Sequence, residues 1–152
     1  MLVFRTKKFG ESKKMSYLCN REKNKDMKFD IEVTRINNYI YIKAVLSGER
    51  IGKVCVDLDS DDSTRYVNSF GGRFAKIVLV WTSPSYCRQG IATALLNKTV
   101  EILKDWNLYL NVIPQKRNEN DMDRNQLIAF YSRFGFERYE ADICTVTMIK
   151  KS

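Results

Sequence analysis

The sequence predicts a mixed α/β domain built on one sheet, and three observations lead to this fold class. Apolar and polar residues alternate with period two between residues 30 and 59, which predicts adjacent strands. Strand and helix patterns then alternate to the end of the chain, without an internal repeat. The chain has 152 residues, of which 44% are hydrophobic, so its length fits a single domain with a substantial core.

The first three predicted strands form a meander joined by tight turns. Residues 30–36 and 39–46 flank Asn37-Asn38, and asparagine tolerates the positive φ that a tight hairpin needs. A second turn around Gly48 leads to the third strand, which we predict over residues 50–59.

A polar, turn-rich stretch follows over residues 60–74 and predicts a mobile loop. The β-branched run at 77–82 predicts a buried strand that ends before Pro84, because proline lacks the N–H that a strand ladder needs. Apolar residues at a spacing of three to four, from Ile91 to Trp106, then predict a helix, and residues 108–113 predict another strand.

The last elements are a short helix and a closing pair of strands. Asp123 and Gln126 have the spacing of a capping box, which predicts a helix over residues 124–133. Residues 136–140 and 143–149 complete the predicted sheet.

The net charge of +8 is concentrated at the N-terminus. Residues 1–28 hold nine basic and three acidic residues, a net charge of +6, which leaves +2 for the rest of the chain. We therefore distinguish a basic N-terminal segment, residues 1–28, at the edge of a domain over residues 29–152. This segment either docks on an anionic partner such as nucleic acid or is a solvated surface, and the second interpretation is favoured.

Histidine is absent, which excludes histidine-based triads and histidine zinc sites. The four cysteines, at 19, 55, 87 and 144, form no C-x-x-C pair, so we expect no metal cofactor. Cys55 and Cys144 alternate with apolar neighbours in predicted strands, which predicts buried thiols. No stretch approaches the roughly 20 apolar residues of a membrane span, and the N-terminus lacks the core of a signal peptide. We therefore expect a cytoplasmic protein without a membrane partner.

The most informative segment joins the strand at 77–82 to the helix that follows. The free N–H groups and the dipole at a helix start attract anions such as a pyrophosphate. Gly90 and Ala92 suit this role, because bulkier side chains would hold a phosphate away from the backbone. Without further evidence, the same pattern also fits an ordinary helix start.

Two segments resemble the GNAT N-acetyltransferase superfamily. Residues 80–92 (VWTSPSYCRQGIA) resemble its motif A, Arg/Gln-x-x-Gly-x-Gly/Ala, and residues 127–136 (LIAFYSRFGF) resemble its helix-to-strand junction. The resemblance covers roughly residues 31–149, with both motifs in the family's order. It implies the acyl-CoA N-acyltransferase fold, an α/β architecture with a central, mostly antiparallel sheet and flanking helices.

The resemblance also implies acetyl-CoA as co-substrate. The main chain of residues 88–92 would bind its pyrophosphate, strand 77–82 would pair with its pantetheine arm, and amides near Thr82 would polarise the thioester carbonyl. Tyr131 matches the tyrosine that protonates the departing thiolate, although an aromatic core residue is the plainer interpretation. The residues assigned to coenzyme binding are Val80, Trp81, Thr82, Arg88, Gln89, Gly90, Ile91, Ala92, Thr93 and Asn125.

The chain departs from the family pattern at three places. Cys87 replaces the usual Arg or Gln of motif A, although Arg88 could supply the missing phosphate contact. Arg124 stands where the family often has a coenzyme-binding asparagine, with Asn125 next to it. The hairpin at Asn37-Asn38 replaces helices usual between the first two strands, so acceptor specificity is not transferred from other members.

The sequence does not identify the general base. Without histidine, the amine must lose its proton to a carboxylate through water, or must arrive neutral. Asp57 and Asp59 are candidates, and together with Asp61 and Asp62 they could instead attract a cationic amine. A solvated acidic loop is the plainer interpretation of these residues.

We predict an N-acetyltransferase that moves an acetyl group from acetyl-CoA to a primary amine by direct transfer in a ternary complex. The acceptor is a protein amine or a small molecule, and the sequence does not identify it. The sequence also does not fix the oligomeric state, which could be a homodimer. The alternative is a catalytically inactive GNAT-fold binding protein whose basic N-terminal segment engages nucleic acid or an acidic protein.

Overall fold

The computed structural model describes residues 3–5, 15–18, 28–114, 121–141 and 145–152. Cys19, Cys144, residues 115–120 and most of the basic N-terminal segment lie outside the described residues. The chain divides into two compact units, the first with residues 1–58 and 79–102 and the second with residues 59–78 and 103–152. In chain order the elements are β1 (Val3–Arg5), β2 (Met15–Leu18), β3 (Lys28–Ile36), β4 (Tyr39–Leu46), β5 (Glu49–Asp57), α1 (Ser63–Phe70), β6 (Phe74–Thr82), a 3-10 turn (Pro84–Tyr86), α2 (Ile91–Ile102), β7 (Asn107–Val112), α3 (Arg124–Ser132), β8 (Glu137–Ala141) and β9 (Val146–Lys150).

The strands of the first unit follow the order β1-β3-β4-β5-β6, and β2 also pairs with β3. The predicted meander is present, because β3, β4 and β5 pair antiparallel in sequence. Asn37 (φ 54°) forms the first turn, and Ser47 and Gly48, both with positive φ, form the second. Two short strands from the basic N-terminal segment, β1 and β2, pair antiparallel with β3.

Helix α2 packs against β4 and β5 and forms the core of the first unit. The period-two alternation in these strands places every second residue on the buried face, as the sequence predicted. Full burial of each large aliphatic side chain stabilises the fold by about 1.5–3 kcal/mol. The fully buried residues include Ile42, Ala44, Val54 and Val56 from the strands and Leu95 and Leu96 from the helix.

In the second unit the strand order is β6-β7-β9-β8, in which β6 and β7 are parallel and the other pairs are antiparallel. The capping box of α3 is confirmed: the Asp123 carboxylate accepts from the Gln126 N–H at 2.8 Å, and the Gln126 amide oxygen accepts from the Asp123 N–H at 2.9 Å. The predicted mixed α/β class with a mostly antiparallel sheet is therefore confirmed. Within the described ranges, no helix combines the length and the hydropathy that crossing a membrane requires.

The prediction of a mobile loop over residues 60–74 is wrong, because most of this stretch is the helix α1. Tyr66 anchors α1, and its ring centroid lies 4.6 Å from that of Tyr109 and 5.7 Å from that of Phe74. Tyr66 is the one fully buried residue of α1, and the ring centroid of Phe70, one turn later, lies 6.1 Å from that of Phe74. The two aromatic residues have the i, i+4 spacing of a helix face, but the helix is only eight residues long, so its sequence pattern is short. Packing of these aromatic rings stabilises α1.

A carboxylate ties the start of α1 to the sheet. Asp62 Oδ1 accepts hydrogen bonds from the Ser60 and Tyr109 hydroxyls, both at 2.6 Å, and Oδ2 accepts from Lys76 Nζ at 3.0 Å. Burial alone would raise the pKa of Asp62, but these hydrogen bonds together outweigh it and lower the pKa to about 2. Burial, and then the bond to Asp62, raise the pKa of the Tyr109 hydroxyl, which stays protonated.

We expect Asp62→Asn to destabilise the fold at neutral pH by about 1 kcal/mol, a small value because solvent screens a carboxylate that is 39% exposed. The ordinary pKa of 3.8 in the unfolded chain lies above the folded value of about 2. The contribution of Asp62 to the free energy of unfolding is therefore complete above about pH 5, and it is lost as the pH falls from 3.8 to about 2. Urea unfolding of both proteins should show a smaller difference at about pH 3 than at about pH 7, and equal differences would contradict the assignment.

Candidate functional site

In the first unit, β6 ends in a turn that leads into α2. The Ser83 N–H donates to the Ile51 carbonyl at 2.8 Å, which ties the end of β6 to β5. Pro84 starts the 3-10 turn, where the N–H that proline lacks is not needed. The Tyr86 N–H then donates to the Ser83 carbonyl at 2.8 Å and closes the turn. The strand predicted at 77–82 thus ends before Pro84, as expected. It begins earlier, at Phe74, and the prediction that residues 77–82 are buried is wrong, because only Ile77 among them is buried.

Two residues of this turn have left-handed backbone conformations. The φ angle is 60° at Arg88 and 81° at Gly90. Glycine adopts this region freely, whereas a residue with a side chain, such as Arg88, is disfavoured there by roughly 1–2 kcal/mol. The Gly90 carbonyl accepts the Ala94 N–H at 3.0 Å, so α2 begins directly after Gly90. Backbone strain of this kind is concentrated at functional sites in proteins.

The first turn of α2 can attract an anion. A helix N-terminus carries a partial charge of roughly +0.5, and its first N–H groups have no acceptor inside the helix. No acidic residue stands in the first turn of α2 to neutralise that charge. Ile91 is buried, whereas Ala92 and Thr93 are half-buried and the Arg88 side chain before them is exposed. The turn thus places a cation and a helix start next to each other in the chain.

Gly52 on β5 determines how closely α2 packs on the sheet, and the sequence analysis did not identify it. A Cβ atom at this position would lie 2.7 Å from Ile91 Cγ2 and 3.0 Å from Leu95 Cδ1, inside contact distance. Both neighbours belong to the first turns of α2. The signal for this role was a glycine within a predicted strand, which often marks a close approach of another element.

The second half of β6 has accessible apolar side chains, although β6 is an inner strand in the strand order. Val78 is 50% exposed and Leu79 is 41% exposed. Val80, Trp81 and Thr82 are half-buried, and the Arg50 guanidinium carbon lies 5.9 Å from the Trp81 ring centroid. Accessible apolar surface on an ordered strand is typical of a place where a ligand or a partner packs.

In the second unit, Tyr131 lies near the end of α3 and is 9% exposed. Its ring packs against Phe130 and Phe136, with centroids 5.4 and 6.1 Å away. Burial raises the pKa of the Tyr131 hydroxyl to about 12. Within the described part of the chain, no residue hydrogen-bonds to this hydroxyl. Tyr131 is therefore both an aromatic core residue and a protonated donor that has no acceptor among the described residues.

The remaining candidate residues are less constrained. Asn125 is exposed in the first turn of α3, and the Gln89 side chain donates to the Ser85 carbonyl at 3.5 Å.

The Cys87 thiol is half-buried and donates to the Ser83 carbonyl at 3.5 Å. The prediction of a buried thiol at Cys55 is wrong, because this residue is half-buried. Burial still raises the pKa of its thiol, which disfavours the thiolate. No group of three metal-ligating side chains occurs among the residues that the structure describes.

The acidic residues proposed as general bases or as an attraction for a cationic amine have different surroundings. The Asp62 carboxylate, which was proposed only to attract a cationic amine, accepts from Ser60, Lys76 and Tyr109 as described above, and these bonds lower its pKa to about 2. Asp57 stands opposite Tyr39 in the β4–β5 pairing, and its charge raises the pKa of the Tyr39 hydroxyl. Asp59 and Asp61 are exposed.

The sequence profile of the acetyltransferase (GNAT) family matches residues 9–136. The chain belongs to the GNAT acetyltransferase family. The match includes the whole turn from β6 to α2 and ends at Phe136, the last residue of the second resemblance. It begins at residue 9, further towards the N-terminus than the resemblance over 31–149 indicated. Among curated proteins, no sequence matches this chain significantly.

Solved structures share the GNAT fold with this chain. The PaiA N-acetyltransferase of Thermoplasma acidophilum, solved with coenzyme A, has a TM-score of 0.54 at 19% identity over 76% of this chain and 62% of its own. Naa50 and Naa60 of Arabidopsis thaliana, each solved with a bisubstrate analogue, have TM-scores of 0.51 and 0.52 at 22% identity over 74% of this chain. These alignments cover 72% of Naa50 and 76% of Naa60. This GNAT chain thus spans about three-fifths of the length of the Thermoplasma enzyme.

We expect Gly52→Val to destabilise this GNAT protein by about 1–3 kcal/mol, because the new side chain would overlap Ile91 and Leu95. Cys55→Val is the matched control, since residue 55 lies on the same strand at a half-buried position. Urea unfolding should show a large fall in the midpoint for the first variant and little change for the second. An unchanged midpoint for Gly52→Val would show that α2 is not seated as described.

Proposed function

We propose that this GNAT protein is an N-acetyltransferase that moves an acetyl group from acetyl-CoA to a primary amine in a ternary complex. The observation that carries the proposal is the turn at residues 83–90, where a family motif coincides with left-handed Arg88 and Gly90 before a helix start free of acidic residues. The coenzyme A bound to the Thermoplasma relative and the bisubstrate analogues on Naa50 and Naa60 support the same chemistry here.

The main chain of residues 88–92 would bind the pyrophosphate of the coenzyme. Gly90, which has positive φ, carries no side chain that would hold the phosphate away from the backbone. The dipole of α2 favours the negative charge. Arg88 would add a charge-assisted contact in place of the arginine or glutamine that Cys87 replaces. Gln89, Ile91, Ala92 and Thr93 would contribute backbone contacts rather than side-chain chemistry, and Asn125 would contact the coenzyme from α3.

Strand β6 would pair with the pantetheine arm. Val78 and Leu79 are exposed, so apolar surface is accessible along this strand for the arm. Backbone amides near Thr82, including those of Val80 and Trp81, would donate to the thioester carbonyl. Such preorganised donors stabilise the oxyanion of the tetrahedral intermediate and contribute about 10²–10³ in rate.

Tyr131 would protonate the thiolate of coenzyme A as it leaves. Its hydroxyl is protonated at neutral pH, because burial raises the pKa to about 12. Since none of the described residues accepts from this hydroxyl, donation to a thiolate breaks no hydrogen bond to that part of the chain. The proton on the amine would leave through water to a carboxylate other than Asp62, or the amine would bind in its neutral form.

Coenzyme binding is tested with Gly90→Glu. Coenzyme A at about 100 times its Kd should stabilise the wild-type protein by about 2.7 kcal/mol, a rise in Tm of roughly 5–11 °C. We expect Gly90→Glu to abolish the rise, because it adds a side chain and a negative charge at the phosphate. Gly48→Glu is the matched control, since Gly48 has the same φ of 81° and no atom within 4 Å of a Cβ at that position. A normal rise for Gly90→Glu would remove residues 88–92 from the phosphate site.

The general acid is tested with Tyr131→Phe. We expect turnover to fall about 10²–10⁴-fold with little change in affinity for acetyl-CoA, because only the donated proton is lost. Since the Tyr131 pKa is about 12, the ratio of wild-type to variant turnover should stay constant from about pH 6 to pH 9. Release of the coenzyme A thiol measures the turnover of the wild type and the variant, and Tyr139→Phe is the control at an exposed position. Unchanged turnover would exclude Tyr131 from the mechanism.

A further inference from the structure

The pairing of strands β6 and β7 ends within the second unit. Their parallel pairing covers three residue pairs and ends with Lys76 opposite Tyr109, although both strands are fully described beyond this point. β7 continues to Val112 and stays paired with β9 as far as Val146. The end of the pairing is therefore not the end of either strand. We call the last pair, Lys76 and Tyr109, the fork.

Asp62 binds both members of the fork. Its Oδ2 accepts from Lys76 Nζ at 3.0 Å, and its Oδ1 accepts from the Tyr109 hydroxyl at 2.6 Å. The Lys76 ammonium also lies 5.9 Å from the centroid of the Tyr109 ring. One carboxylate therefore bridges the two strands at the last position where their backbones pair, and the Ser60 hydroxyl holds the same oxygen at 2.6 Å.

The position of Asp62 in the chain makes this arrangement unusual. Asp62 is the N-cap residue of α1, where an aspartate ordinarily accepts from the first N–H groups of the helix. Its side chain makes no such bond here. The Ser63 N–H donates instead to the Ser60 carbonyl at 3.0 Å. The carboxylate thus gives up a local stabilising contact and is directed onto the fork, where its pKa is lowered to about 2, so it stays ionised.

We propose that Asp62 is a positioning residue that fixes where β6 separates from β7, and so where the coenzyme arm can begin to pair along β6. The proposal rests on the proposed function, since it concerns the arm of the same coenzyme. Beyond Lys76 the backbone of β6 no longer pairs with β7, and its Val78 side chain is 50% exposed. If the fork moved along the strands, the length of β6 open to the arm would change with it.

The test compares Tyr109→Phe with Tyr66→Phe in the full chain. Each variant removes one hydroxyl from the same aromatic cluster, but the Tyr66 hydroxyl accepts from Arg65 and does not contact Asp62. We expect Tyr109→Phe to weaken coenzyme A about fivefold to tenfold in calorimetric titration and Tyr66→Phe to leave its Kd unchanged. Lys76→Met should give a similar loss. The variant with both substitutions should lose less affinity for coenzyme A than the product of the two single losses, because both substitutions act through Asp62.

Hydrogen exchange of the segment 74–78 gives a readout independent of the coenzyme. We expect faster exchange in Tyr109→Phe than in the wild type, and no change in Tyr66→Phe. Unchanged exchange in Tyr109→Phe would show that the bond to Asp62 does not stabilise the fork. Faster exchange with an unchanged Kd for coenzyme A would overturn the positioning role of Asp62. A wild-type protein that fails to bind coenzyme A would overturn the proposed function, and this inference with it, before any variant is compared.

Discussion

The parallel pairing of β6 with β7 is the constraint on which the rest of the structure depends. Parallel strands cannot be joined by a tight turn, so the chain needs a crossover, and α2 supplies it. A helix start therefore follows directly after the strand in the chain, and the backbone must change from extended to helical within residues 83–90. The left-handed conformations of Arg88 and Gly90 make this change and lead directly into the first turn of α2, where we propose that the pyrophosphate binds.

Two buried tyrosines of the second unit, Tyr109 and Tyr131, differ in their hydrogen bonds. Burial raises the pKa of both, because a tyrosinate is costly in an apolar environment. Tyr109 donates to Asp62 and joins α1 to the sheet, so its proton is committed to the fold. The Tyr131 hydroxyl has no acceptor among the described residues, so its proton is available. The hydrogen-bond partner, rather than burial, separates a structural tyrosine from the one proposed as an acid.

Several parts of the fold were predictable from the sequence because their signals are local. The meander follows from period-two alternation around Asn37, and α3 follows from the spacing of Asp123 and Gln126, since each depends on residues close together in the chain. Helix α1 was not predictable in this way. Its anchor, Tyr66, packs on Tyr109 and Phe74, and the helical spacing of the few apolar residues in α1 extends over only eight residues of a polar stretch.

The sequence established the mixed α/β class, the order of the elements from residue 30 onwards with the exception of α1, and the family, because the motif around Gly90 and the junction at Tyr131 are contiguous segments. Tertiary structure alone decided the roles of Gly52 and Asp62. Gly52 matters because α2 comes within contact distance of β5, and Asp62 matters because Lys76 and Tyr109 meet at the fork. These contacts join residues separated by 14 to 47 positions, and a one-dimensional pattern does not contain the distances between them.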